Sequence, residues 1–164
     1  RDDHARIIIP MYDSNKRLIG LQGRALDGFI QPKYLTLMLV EDHPKVYGFD
    51  TIDESKQVYV TEGPFDSTFI DNSIAMCGSD VDLSGYDDLE FTYVFDNEPR
   101  NREIVSKINQ SIEKSHKVVI FPTQIREKDI NDMVLAGHDV NSLLESNTYT
   151  GLKAKLKLQT WKKV

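Results

Sequence analysis

A single cysteine, Cys77, occurs among the 164 residues, so no disulfide can form within the chain and a cysteine-rich zinc site is excluded. The four histidines, His4, His43, His116 and His138, are scattered without ligand spacing and read as ordinary surface or core residues. No apolar run approaches the ~18 residues needed to span a bilayer, and the start is not signal-like, so a soluble, intracellular protein with no membrane partner is expected. Long repeats and low-complexity tracts are also missing. The first residue is Arg1 rather than methionine, which reads as a fragment or a processed chain. What is present is 40% apolar side chains, enough for one substantial core in one or two closely packed subdomains.

Net charge is −6, and it is unevenly spread. Residues 1–48 carry seven basic against six acidic side chains, residues 49–148 eight against twenty, and residues 149–164 five against none. Acidity is thus concentrated in a central block that could supply carboxylates to a divalent metal, between flanks that could meet phosphate. A solvated acidic surface is the plainer reading of the same numbers.

"RIIIPMY" and "LIGLQGR" read as strands joined by the turn "DSNKR", with Gly20 and Gly23 where a backbone bends or approaches a ligand. "PKYLTLMLV" is a third extended segment. After a boundary loop, "YGFDTIDESKQ", strands alternate with helices: "VYVTE", a short helix "PFDSTFIDN", "SIAMCG", "DLEFTYVFD", a helix over 99–114, "KVVIFP", and a helix in "DINDMVLAG". The 99–114 helix places Ile104, Val105, Ile108 and Ile112 on one face with Pro99 suited to its first turn, and Asp129 and Gly137 suit the start and stop of the last. This alternation predicts an α/β fold with a mainly parallel sheet covered by helices, preceded by a small strand-rich basic subdomain.

Ligands of such sheets bind outside the carboxyl ends of the strands. Three apolar strands here are followed by acid: Glu62, Asp96 with Glu98, and Asp129 with Asp132. Carboxylates converging in one crevice repel unless a cation sits among them, and magnesium takes oxygen ligands from one or two carboxylates plus substrate phosphates. Gly63 would let the chain turn near that substrate, and Pro64 would start the helix that returns Asp66 to the site. Each acid also has a plainer reading as a helix cap or first-turn acid. Caps alone do not explain why three acidic sites follow three different strands.

"VYVTEGPFD", "YVFDNE" and "KDIND" in that order resemble the three-part signature of the Toprim domain of DnaG-type primases, topoisomerases and some nucleases. "RIIIPMYDSNKRLIGLQGRAL", "QPKYLTL" and "KVYGFD" resemble the N-terminal subdomain of the primase RNA-polymerase core, in wording closest to primases of T-even-type tailed phages. The resemblance implies a division into residues 1–56, a Toprim domain at 57–148 and a basic tail at 149–164. It implies Glu62, Asp96 and Glu98 as catalytic metal-site acids, supported by Asp66, Asp129 and Asp132. Arg24, Lys33 and Lys45 match the family's basic positions, and Lys128 stands where it could bind a triphosphate oxygen. The chain has Asp96-Asn97-Glu98 where the family usually has Asp-x-Asp, and it lacks the glycine that often follows.

The implied activity is primer synthesis: a ribonucleotide 3′-hydroxyl attacks the α-phosphorus of a nucleoside triphosphate on a single-stranded DNA template, releasing pyrophosphate. Magnesium, with manganese as an alternative, is the implied cofactor. Ribonucleoside triphosphates and a replicative helicase are the implied partners, in the host cytoplasm within a phage replisome. An upstream zinc-binding module belongs to the same picture. Glu62 is the candidate for a metal-associated acid/base role. Tyr34 suits base stacking and Tyr47 a half-buried strand. In the tail, alternating Lys153, Lys155 and Lys157 fit a strand while Leu152 and Leu156 fit a helix, and Trp161 reads as an anchor to the core. Cys77 reads as buried and inert. A Toprim nuclease and a catalytically silent nucleic-acid-binding module are the competing functions.

Overall fold

The computed structural model describes residues 4–78, 81–86 and 88–164. Its N-terminal strands, β1 (Arg6–Tyr12), β2 (Leu18–Ala25) and β3 (Tyr34–Met38), form an antiparallel sheet in chain order. The β1–β2 turn is fixed by Asp13, whose carboxylate accepts from the Asn15 and Arg17 amides and from the Arg17 guanidinium. Gly20 pairs with Met11 where the β1–β2 register shifts, and both Gly20 and Gly23 lie in close packing. A Cβ on Gly20 would stand 2.7 Å from Met11 Cε and 3.0 Å from the Leu37 carbonyl, and one on Gly23 would stand 3.2 Å from Arg6 Cδ.

The second sheet has the order β4 (Val46–Tyr47), β6 (Ser73–Met76), β5 (Val58–Thr61), β7 (Phe91–Val94), β8 (Lys117–Val119), β9 (Thr148–Tyr149). Its four inner strands are parallel and its two edge strands antiparallel, which is the mainly parallel α/β arrangement expected. Successive residues face opposite ways in a strand, and β8 shows the consequence: Val118 joins one core cluster and Val119 another. On Val118's side lie α2 (Arg102–Glu113) and α5 (Gly151–Trp161), which bury Ile104, Ile108, Ile112, Ala154, Leu158 and Trp161. On Val119's side lie α3 (Ile130–Leu135) and α4 (Val140–Ser146), whose Met133 and Leu144 are fully buried. Each such aliphatic side chain contributes roughly 1.5–3 kcal/mol through removal from water. A one-turn helix, α1 (Pro64–Ser67), follows β5 directly.

Several local expectations shift. Pro99 lies outside α2, because Asn101 is the N-cap and its side chain accepts from the Glu103 and Ile104 amides. Asp129 caps α3 by accepting from the Asp132 amide, and Gly137 closes that helix at φ +87°, as expected. The tail is helical, and Trp161 is buried. Leu152 and Leu156, whose spacing suggested the helix, point outward, since the buried set is Ala154, Leu158 and Trp161.

The small sheet seats on the larger one through Met11, Ile19 and Cys77, with Tyr47 half-buried against them. Gln22 reinforces the seat by donating to the Cys77 carbonyl at 3.1 Å and to Thr36 Oγ1. Burial pushes the Cys77 thiol up to about 12, so it stays protonated and inert.

Candidate active site and nucleic-acid surface

The parallel strands β5 and β7 are hydrogen-bonded neighbours, so Glu62, one residue past β5, and Asp96, two past β7, emerge at the same sheet edge. α1 begins two residues later and carries Asp66 to that edge. Gly63 is extended, at φ −139° and ψ 147°, a conformation open to any residue, so the turn itself does not require glycine. Its missing side chain leaves open space instead: a Cβ there would meet only Asp66 Oδ2, at 4.0 Å.

Burial first, and then the neighbouring Glu62, Asp66 and Asp129 charges, together raise the Asp96 pKa from 3.8 to about 6 against the opposing pull of Lys128. Asp66 is also raised, first by burial and then by Asp129 and Asp132, although it accepts a hydrogen bond from the Asn131 amide at 3.1 Å and feels Arg24. Glu62, Asp66, Asp96 and Asp129 therefore share one electrostatic neighbourhood. Asp132 is exposed at its margin. Among the described residues, no three Asp, Glu, His or Cys side chains are grouped closely enough to hold an ion.

Cations border this acidic edge. Lys107, on α2, bonds Glu62 Oε1 at 2.5 Å and Glu103 at 3.0 Å. Burial alone would lower the Lys107 pKa, but those hydrogen bonds outweigh it and raise it. Lys128 Nζ stands 3.7 Å from both Asp96 and Glu98, which together raise its pKa. Glu98 also accepts from Asn101 Nδ2 at 3.3 Å, so it sits on the outer rim between Lys128 and the start of α2.

Asn97, between the two acids, has a structural task. Its amide donates to the Ile125 and Glu127 carbonyls, its Oδ1 accepts from Trp161 Nε1 at 3.1 Å, and its backbone N–H donates to the Lys128 carbonyl. One buried side chain thus fixes the Lys128 loop and the end of α5 behind the acids. Neither this role nor the Lys107–Glu62 pair was foreseen from the sequence. Lys107 lies 45 positions from its partner, and the clue to Asn97 was limited to its place between two acids.

On the small sheet, Arg24 bonds the Tyr34 hydroxyl at 2.9 Å and stacks its guanidinium over Phe65 of α1 at 4.6 Å, next to Asp66. Lys33 is exposed, with Nζ 5.8 Å from the Tyr34 ring centre, and Arg6 bonds the Pro32 and Lys33 carbonyls beneath it. Lys45 is half-buried, and its carbonyl accepts from the Cys77 amide where β4 joins the larger sheet. A cleft of about 520 Å³ opens beside Glu62 and Gly63, between Tyr34 and Lys107.

The arrangement of a three-stranded antiparallel sheet docked on a mainly parallel sheet recurs in solved proteins. The E. coli primase catalytic core superposes with a TM-score of 0.67 at 18% identity over 94% of this chain and 56% of that one. The chain has the fold of a DnaG-type primase catalytic core. The RNA polymerase domain of Mycobacterium tuberculosis primase DnaG, in complex with a double-stranded DNA oligomer bearing a 6-nucleotide overhang, gives a TM-score of 0.66 at 20% identity over 90% of this chain and 55% of that one. In sequence, the DNA primase of Enterobacteria phage T4 is 31% identical over 166 residues, covering 97% of this chain and 48% of the relative. The resemblance to DnaG-type and T-even-type primases therefore holds along nearly the whole chain, which spans about half the length of that relative. No protein-family profile matches the chain. Among the described residues, no helix of the primase-core fold is long and apolar enough to cross a membrane.

Proposed function

We propose that this chain is the catalytic core of a DNA primase, joining ribonucleotides on a single-stranded DNA template. The observation that carries the reading is the convergence of Glu62, Asp66 and Asp96 in one neighbourhood, where burial and mutual repulsion hold Asp96 at about 6 and Arg24, stacked on Phe65 of α1, acts on Asp66. The similarity to T4 DNA primase supplies the reaction class.

The chemistry of the donor set suits a hard divalent ion, being all oxygen, crowded with negative charge and opened by the absence of a side chain on Gly63, and the carboxylates would have to draw together to hold it. Magnesium, or manganese in its place, would be held by Glu62, Asp96 and Glu98 with Asp66, Asp129 and Asp132 in support. When bound it would neutralise triphosphate charge in an in-line displacement. The chain's own residues do the rest. Asp96 is ionised at neutral pH despite its raised pKa, and Lys107 restrains Glu62 until the substrate's charges rearrange the edge. Lys128, exposed between Asp96 and Glu98, is placed to meet a triphosphate oxygen, and Asn97 holds its loop in position. Arg24 and Lys33, both against Tyr34, offer a phosphate- and base-contacting surface for the template, and Lys45, where β4 joins the larger sheet, is its third basic residue in this reading. In this reading residues 1–56 serve the template, 57–148 the chemistry, and 149–164 brace the site, in the cytoplasm of an infected host beside a replicative helicase.

The test supplies labelled ribonucleoside triphosphates, magnesium and single-stranded DNA. New short RNA is the expected product. Shortened DNA would instead assign the site to a nuclease, and template binding without either product would make the chain a silent binding module.

A further inference from the structure

Beyond Glu98 the sheet edge changes sign. Arg100 and Lys163 line one shallow concavity with Glu98, Pro99 and Asn101, and Arg102 and Lys162 line the adjoining one. The two halves come from distant parts of the chain. They are joined by a hydrogen bond from the Lys163 amide to the Pro99 carbonyl at 2.8 Å and by the Trp161–Asn97 bond beneath it. Among the described residues, none of these four cations forms an ion pair, unlike Lys107 and Lys128 nearby. The concavities also contain Asn101, the N-cap of the 12-residue α2, whose dipole adds positive potential there. Exposed cations without an ion pair, gathered at the rim of an acidic site, create a positive potential that attracts an anionic partner.

The chemistry of the patch also selects the form of that partner. Single strands are held by cations interleaved with aromatic platforms, as on the opposite flank, where Tyr34, Phe65 and the fully exposed Phe29 accompany Arg24 and Lys33. No aromatic ring lines the Arg100–Lys163 side, because Trp161 is buried against the core. A surface that contacts phosphates but offers nothing to an unstacked base suits a helix whose bases are already paired. We propose that Arg100, Arg102, Lys162 and Lys163 seat the phosphate backbone of an RNA–DNA hybrid leaving the acidic site. This deepens the primase reading and rests on it for the identity of the hybrid.

The experiment measures Kd for a short labelled RNA–DNA hybrid, and separately for a single-stranded DNA of equal length, across a salt series. Arg100→Ala with Lys163→Ala is expected to weaken hybrid binding about tenfold and to flatten the slope of log K against log salt by about two, near 0.9 per lost phosphate contact. Single-strand affinity should change by less than about twofold. The second pair, Arg102→Ala with Lys162→Ala, should behave alike, and a thermal melt matching the parent chain shows that either pair folds. Unchanged hybrid affinity in both pairs overturns the proposal, and so does an equal loss for single strands. Binding is read without catalysis, so a failed primer-synthesis assay would sink the functional reading while leaving this result intact.

Discussion

Replacing Asp96 with asparagine should make the protein more stable and less able to respond to magnesium. Asp96 titrates at about 6 in the folded chain instead of 3.8, so the folded state holds its proton more tightly than the unfolded state does. Its contribution to stability is therefore complete below pH 3.8 and is lost as the pH rises through about 6. At 1.36 kcal/mol per pH unit the loss at neutral pH is about 3 kcal/mol. An asparagine still has to be buried and gives up the attraction of Lys128, so relief of repulsion from Glu62, Asp66 and Asp129 should return about 1–2 kcal/mol. For a chain of this size that is a rise in Tm of about 3–6 °C at pH 7, shrinking toward zero at pH 4. The assay is a thermal melt of both proteins at the two pH values, with and without magnesium. Magnesium should raise the parent's Tm at pH 7 and act more weakly near pH 5, where Asp96 is largely protonated, and the variant should gain little at either. An asparagine variant no more stable than the parent at pH 7, or one with an undiminished magnesium shift, would refute the argument that crowded carboxylates await a cation.

Four further outcomes follow from the same geometry. Glu98→Gln keeps size but removes charge, and if Glu98 is a ligand primer synthesis across a magnesium titration should fall severely while Glu98→Asp keeps part of it; wild-type turnover in the glutamine variant would leave Glu62 and Asp96 as a smaller set. Lys107→Ala should lower the magnesium concentration that half-maximally raises Tm, because Lys107 competes for Glu62; a higher requirement would make Lys107 a support instead. Lys33→Ala should weaken single-stranded DNA binding and flatten its salt slope by roughly one, with no change in Tm. Arg24→Ala should do the same at some cost in stability, because Arg24 also stacks on Phe65, and unchanged slopes in both would move the template path elsewhere.

The acids were legible because a strand of apolar residues ending in a carboxylate announces both its burial and its direction, and "VYVTE" and "FTYVFD" did so. The helical tail was less legible. Its exposed Leu152 and Leu156 keep the same four-residue spacing as its buried Ala154 and Leu158, so periodicity suggested the helix from its wet face. The strands Val46–Tyr47 and Thr148–Tyr149 have two residues each and owe their form to the sheet edge they join, so no local pattern could mark them. Lys107 was hidden for a different reason. Its partner is set by how α2 crosses over β7 and returns, a tertiary fact that residue spacing does not contain.

Asn97 shows why the middle of an acidic motif can matter as much as its ends. Asp96 and Glu98 both stand beside Lys128 at the sheet edge, while the side chain between them turns into the protein. A residue there can either be small enough to need nothing or polar enough to tie the loop down, and this chain takes the second course through the Ile125 and Glu127 carbonyls and Trp161. Asn97→Ala should therefore leave one buried donor and two half-buried carbonyls without this partner and cost about 2–4 kcal/mol, since a fully buried group costs about 1–3 kcal/mol and the half-buried ones less. Because the same bonds hold the Lys128 loop, the surviving folded protein should show a raised KM for ribonucleoside triphosphates at low temperature, where the stability loss does not limit it. Trp161→Phe removes the indole donor together with part of a buried ring, so its Tm loss mixes packing with the lost bond, while its effect on KM should be smaller than that of Asn97→Ala. If Asn97→Ala lowered Tm but left KM unchanged, the tie would be structural alone, and Lys128 would not depend on it for its place beside Asp96 and Glu98.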